Sequence, residues 1–327
     1  MHIVHLLASP YFSGPAEVVV QLALAQRGLG HDVEVVCDTL RVSSSAEELL
    51  VPKLEASRLT SRAPLTLSVK SSLAQLWRDV RALRGLTADV VHSHFSHDHL
   101  LARLAGRRPL VRSIHAPRSL RWGMPRADGW TVPYAGLAPR LTGRDVVVLP
   151  PLIASHFRPR EGARGQRIAM VSTFQPSRRH ALGLQAFARV RAMHPGATLE
   201  LMGDGALAAE LQTLARPLGS AVTFHGYLAG EAYAAALRDI DEVWVLGLGN
   251  DFGGRAALEA RASGVRVVAV DEGALASWAD AVVPPEPEAI AAVALTGERR
   301  DVQLPSSEAT VAQVLELYER ARVRAQS

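Results

Sequence analysis

The chain has 327 residues, 48% apolar and 21% charged, a length that suits two domains and the balance of an ordinary globular protein. Net charge is +4, unevenly spread: 18 Lys and Arg against 12 Asp and Glu in residues 1–150, and 18 against 20 in residues 151–327. A basic first half suits phosphate-bearing ligands or an anionic membrane surface. Without aromatic interleaving or a recognition motif, nucleic acid is not an expected partner.

The N-terminus "MHIVHLLASP" lacks the basic region of a signal peptide, and no window approaches 18 apolar residues, so no membrane span is expected. The single cysteine, Cys37, rules out an internal disulfide and fits a cytoplasmic setting.

Short β-branched runs then alternate with helical patterns. "HIVHLL" precedes a helix from Pro15 to about Arg27, and "VEVVC" follows. "DVVHS", the helical "DHLLARLAG", "LVRSI" and "DVVVLP" close a first series near Pro150. Runs apolar on both faces indicate buried parallel strands with covering helices. Residues 150–166, rich in proline, arginine and glycine, read as a linker. The second series runs "RIAMVS", a helix from about His180 to Met193, "TLELMG", a helix, "AVTFHG", a helix, "EVWVLG", the helix "GRAALEARASG" and "RVVAV". A last helix spans Ser307 to about Arg324. Ligands of open parallel sheets bind at the carboxyl-edge loops.

Three stretches carry chemistry. In "GNDFGGRAALEARASG" a glycine-rich turn opens a helix, so backbone N–H groups can meet an anion; Asp251 lies in the turn and Glu259 eight residues on. In "SPYFSGPAEVVV" Gly14 precedes a helix with Pro15 at its start. In "VSTFQPSRRHALG" Arg178 and Arg179 sit between a strand and a helix, where a guanidinium fork matches diphosphate oxygens.

A fourth stretch, residues 89–106, holds His92, His94, His97 and His99. Zinc needs convergent ligands, and strand alternation followed by a turn into a helix is expected to scatter these rings, so no metal is expected. The reading is the edge of a pocket. Nearby, "RSLRWGMPRADGW" puts Arg118, Arg121 and Arg126 beside Trp122, Met124 and Trp130, suited to a phosphorylated acceptor or a lipid surface.

In this order the stretches resemble the retaining, nucleotide-sugar-dependent glycosyltransferases of group 1, or family 4. "SGPAEVVVQLALAQRGLGHDVEVV", "DVVHSH", "LVRSIH", "HFRPR", "GDG", "VTFHGYL" and "DFGGRAALEARASGVRVVAV" carry the resemblance, over almost the whole chain. It implies an α/β protein of GT-B fold, two Rossmann-like parallel-sheet domains facing across a cleft, with the last helix crossing back to the first. The domains implied are residues 1–152 on the acceptor side, 153–305 binding the nucleotide sugar, and 306–327 as the returning helix.

The resemblance also implies a sugar moved from a nucleoside diphosphate sugar to an acceptor, with retention and no catalytic metal or other cofactor. By the family pattern His115, Arg178, Asp251 and Glu259 are the catalytic residues. Gly14, Thr173, Arg179, Gly253, Gly254 and Glu259 bind the donor. His92, His94, His97, Arg118, Arg121 and Trp122 lie on the acceptor side. Three departures stand out: Thr173 where the family has arginine, Asp251 for the first signature glutamate, and Ser13 for a glycine. Thr173 and Asp251 motivate one alternative, a catalytically impaired nucleotide-sugar-binding partner protein; a non-hydrolysing nucleotide-sugar epimerase on the same fold is another.

Overall fold

A computed structural model describes residues 1–41, 49–59, 64–120, 125–159, 165–249 and 252–326. The chain divides into two compact units. The first joins Met1–Leu152 to Pro305–Ser327, and the second is Ile153–Leu304.

In the first unit the chain runs β1 (His2–Leu7), α1 (Gly14–Gly28), β2 (Asp32–Cys37), α2 (Leu50–Ala56) and α3 (Leu73–Arg84). It continues through β3 (Val90–Ser93), α4 (Ser96–Leu104), β4 (Leu110–Ser113), β5 (Gly129–Val132) and β6 (Val146–Val148). The six strands pair in parallel in the order β2-β1-β3-β4-β5-β6. Side chains alternate across a strand, so Ile3 and Leu7 face one apolar cluster and Val4 and Leu6 another. α1 covers the first cluster, and α3 and α4 the second.

The second unit runs β7 (Arg167–Val171), α5 (His180–Met193), β8 (Thr198–Met202), α6 (Ala208–Ala215), β9 (Val222–Gly226) and α7 (Gly230–Arg238). Then come β10 (Glu242–Val245), α8 (Arg255–Ala262), β11 (Arg266–Ala269), α9 (Leu275–Trp278), β12 (Ala281–Val282) and α10 (Pro287–Val293). These strands pair in parallel in the order β12-β11-β10-β7-β8-β9. Trp244, Phe187 and Leu201 are in the core of this unit.

The last helix, α11 (Ser307–Gln326), packs Val311, Val314, Leu317, Tyr318 and Ala321 into the same cluster as Ile3, Leu7 and α1. Gly129 makes room for it: a Cβ there would stand 2.9 Å from a Leu317 methyl carbon.

β5 corrects the expectation that Trp130 meets a phosphorylated acceptor or a lipid surface. Trp130 is 1% exposed, a core residue of β5 crossed by the guanidinium of Arg144, and is closed to a lipid or acceptor. Arg121, Trp122 and Met124 lie outside the described residues.

Candidate functional site

In an open parallel sheet the crevice for ligands lies where the strand order reverses. In the first unit that point is between β1 and β3. The Asp98 carboxylate fastens it, accepting hydrogen bonds from the backbone N–H of Ala8 just past β1, at 3.0 Å, and of Phe95 at the start of α4, at 2.9 Å. Burial pushes Asp98 up, to about 7, against the pull of those amides and of Arg112. Gly14 begins α1, exposed, with open space where a Cβ would stand.

Across this point runs a buried polar stripe. The register pairs His5 directly with His92, and His94 lies two residues on, so all three rings stand on one face of the sheet. His5 Nδ1 is 3.0 Å from His94 Nε2, and His94 Nδ1 is 3.2 Å from His115 Nε2. On the other side His5 Nε2 meets Gln26 Oε1 of α1 at 2.8 Å. His92 bonds Tyr318 of α11 through Nδ1, at 2.7 Å, and Ser113 through Nε2, at 2.9 Å. Burial drives all four rings down, His5 and His115 to about 4 and His92 and His94 well below their ordinary value. The four are neutral at pH 7.

The scattering expected of the histidines therefore holds for only two of them. His97 turns to Ser68, and His99 to Ser93 and the Pro125 carbonyl. His92 and His94 instead converge with His5, because residues two apart on a strand share a face. These three offer ring nitrogens within 4.8 Å of one another, near enough for an ion. All six of their ring nitrogens nevertheless have hydrogen-bond partners, and an ion would have to displace them.

His92 and His94 are enclosed, with both nitrogens of each engaged, so the expectation that they border an acceptor pocket is corrected. His115 and His97 are half-buried and Arg118 is exposed.

In the second unit the strand order reverses between β7 and β10. Ser172, Arg178, Val245, Leu246 and Gly247 line a small pocket at that point. Gly247 lets Arg178 lie against the strand end: a Cβ there would stand 3.3 Å from the guanidinium. Arg179 takes the left-handed conformation, φ 57°, as N-cap of α5. Thr173 is exposed beside them, too short to supply a second guanidinium. His180 opens α5, its Nε2 3.3 Å from Ser172 Oγ, lowered to about 4 by burial and then by Arg178.

The turn after β10 leads into α8 through Gly253 and Gly254. Gly254 has φ 66°, and a Cβ on it would stand 2.8 Å from Trp278. Both the conformation and the contact demand glycine. The Glu272 carboxylate accepts a hydrogen bond from the Gly249 N–H, fixing the start of the turn. Glu259 is buried within α8, 3.9 Å from Arg255. Asp251 lies outside the described residues. Arg178, Arg179, Thr173, Gly253 and Gly254 thus surround strand ends of one sheet, while His94, His97, His115 and Gly14 belong to the other unit.

The sequence reading passed over His5, Gln26, Ser113, Tyr318 and Glu272. A histidine at the third place of an apolar strand, level with "HSH" two strands on, was the available signal for the first.

Two parallel six-stranded α/β units with the last helix returned to the first are the GT-B architecture of glycosyltransferases. A family model described as Glycosyltransferase Family 4 matches residues 12–174, and one described as Glycosyl transferases group 1 matches residues 165–296. The chain belongs to this glycosyltransferase family. Among solved structures, Anabaena HepE in complex with UDP and glucose is similar, with TM-score 0.72, 16% identity and 99% of each chain covered. So is sucrose-phosphate synthase of Thermosynechococcus elongatus, with TM-score 0.63 and 18% identity, covering 100% of this chain and 94% of that one. An exopolysaccharide phosphotransferase of Streptomyces coelicolor is 28% identical over 193 residues, 56% of this chain and 20% of that protein. This chain therefore spans only a small part of that relative's length.

Proposed function

We propose that the protein transfers a sugar from a nucleoside diphosphate sugar to an acceptor hydroxyl, with retention of configuration and without a catalytic metal. One observation carries the reading. At the crevice of the second unit, Arg178 lies on Gly247 just past β10, the strand that leads on to the glycine-opened helix holding a buried Glu259. Cleavage of a sugar–phosphate bond develops negative charge on the leaving diphosphate. Arg178 and Arg179, with the N–H groups at the start of α8, supply the donors for that charge. Glu259 accepts hydrogen bonds from the ribose, and Asp251 from the sugar. By the family pattern His115 and Gly14 serve the donor, and the first unit takes the acceptor.

The test is thermal stability with UDP, GDP, ADP, TDP and CDP in turn, each with excess EDTA. A ligand at a hundred times its Kd adds about 2.7 kcal/mol, a shift of several degrees for a chain of this size. UDP, the nucleotide in the similar HepE complex, is expected to give the largest shift. No shift from any diphosphate would overturn the reading.

We propose further that the protein works in the cytoplasm, at the inner membrane surface. Among the described residues no helix is long and apolar enough to cross a membrane. α3 carries an outward face with Leu73 84% and Trp77 62% exposed. Arg81 lies over the Trp77 ring, and Lys70, Arg78 and Arg84 are exposed nearby. Trp and Leu rimmed by basic side chains fit an anionic lipid surface.

A further inference from the structure

We propose that the chain Tyr318–Gln26–His5–His94–His115 fixes the tautomer of His115, making Gln26 and Tyr318 positioning residues for the site. The inference rests on the reading of His115 as the residue that meets the donor.

The phenol of Tyr318 has one proton to give. Its oxygen is 2.7 Å from His92 Nδ1, and His92 Nε2 is 2.9 Å from Ser113 Oγ. The Gln26 amide nitrogen faces the phenol oxygen at 3.1 Å and can only donate to it, which leaves the phenol proton for His92. The same placement turns the amide carbonyl toward His5.

From there each step is forced, because a neutral imidazole has one donor and one acceptor. Gln26 Oε1 can only accept, so His5 carries its proton on Nε2 and presents a bare Nδ1. That nitrogen accepts from His94 Nε2–H at 3.0 Å, and His94 Nδ1 accepts from His115 Nε2–H at 3.2 Å. His115 is left with its proton facing inward. Its Nδ1, which has no hydrogen-bond partner among the described residues, is an acceptor for a hydroxyl of the bound sugar. An imidazolium at His5 or His94 would place two donors against each other. Burial opposes one at every ring, and the guanidinium of Arg112 adds to this at His115.

One amide thus sets the polarity of a row of rings. Were it turned over, His5, His94 and His115 would all carry their protons on Nδ1, and His115 would offer a sugar hydroxyl a donor instead.

The test is long-range 1H–15N spectroscopy of the full-length protein labelled with 15N-histidine, at pH 7. His115 is expected as a single neutral tautomer protonated on Nε2, as are His5, His92 and His94. Gln26→Leu removes the acceptor of His5 Nε2–H, and His115 is expected to pass to the Nδ1–H form. Gln26→Glu restores a carbonyl-type acceptor and is expected to keep the Nε2–H form. Should Gln26→Leu fail to fold, Tyr318→Phe retains the ring but frees the amide, and His115 should become a mixture. A wild-type His115 that is mixed or protonated on Nδ1, or one unmoved by Gln26→Leu and by Tyr318→Phe, overturns the proposal. UDP release from UDP-glucose distinguishes the underlying reading. On the order of 10²-fold loss of kcat in Gln26→Leu is the expected result, with KM little changed. A switched tautomer without any loss of kcat would remove His115 from the reaction while leaving the hydrogen-bonded row intact.

Discussion

The two crevices differ in what fills them. In the first unit the reversal point of the sheet is occupied by imidazoles, an amide and a phenol bonded to each other. In the second, Arg178 and Gly247 share a small pocket with Ser172 and the apolar Val245 and Leu246. The first is neutral and closed on its own partners. The second holds the Arg178 guanidinium against the bare backbone of Gly247. The same parallel-sheet plan therefore yields one crevice that orients a single ring and another suited to a dispersed negative charge.

Acid is expected to break this contrast most forcefully. His5, with a folded pKa of about 4 against roughly 6.5 unfolded, contributes stability that is present above pH 6.5. It is lost as pH falls to about 4, because the unfolded chain alone takes up the proton in that window. For His5 alone the loss is about 3 kcal/mol, and His92, His94, His99 and His115 shift the same way. Asp98, raised to about 7, works against them. In the second unit His180 shifts likewise. Hydrogen exchange followed from pH 7 to 4.5 should show the first unit opening before the second. Simultaneous opening would mean that the histidine row is not what limits stability.

Arg178→Ala is the corresponding cut in the second unit. Removing one preformed donor to the leaving group is expected to cost about 3–4 kcal/mol of transition-state stabilisation, read as 10²–10³-fold in kcat. A kcat within threefold of wild type would shift the burden to Arg179.

Gly254→Ala is expected to cost about 1–3 kcal/mol in stability from the left-handed backbone alone, before the clash with Trp278. Calorimetry with and without UDP should show both a lower Tm and a smaller ligand shift. Glu259→Gln keeps the shape of α8 and replaces a charged acceptor with a neutral one, so UDP binding should weaken by about 1–2 kcal/mol. Isothermal titration measures it.

The smallest effect is expected at the periphery of the first unit. Trp77→Ala should reduce sedimentation with vesicles containing phosphatidylglycerol and leave UDP binding unchanged. Equal sedimentation of both proteins would place the membrane contact elsewhere.

Much of this was legible in the sequence, and the failures have physical reasons. The β-branched runs at 2–7, 33–37, 167–171 and 266–269 announce strands because both faces are buried. β5, four residues after a proline-containing stretch, is too short for periodicity to show. α3 was passed over although Leu73, Leu76, Trp77, Val80 and Leu83 recur at helical spacing, a stripe the sequence displays. The glycine-opened turn into α8 was visible because only glycine meets its conformation. The histidine row was half visible, through His92 and His94, and misread. Its other members, Gln26 and Tyr318, come from helices 292 residues apart, a pairing that no local pattern encodes.

That separation bears on how the protein is made. Tyr318, Leu317 and Val314 complete a cluster begun by Ile3 and Leu7. A growing chain therefore emerges with one face of its first sheet covered by α1 but not yet by α11. That part of the face stays open throughout synthesis of the second unit, whose residues are contiguous and need nothing from the C-terminus. The unit translated second is free to fold first. The unit translated first waits for the last helix to leave the ribosome before its histidine row can close.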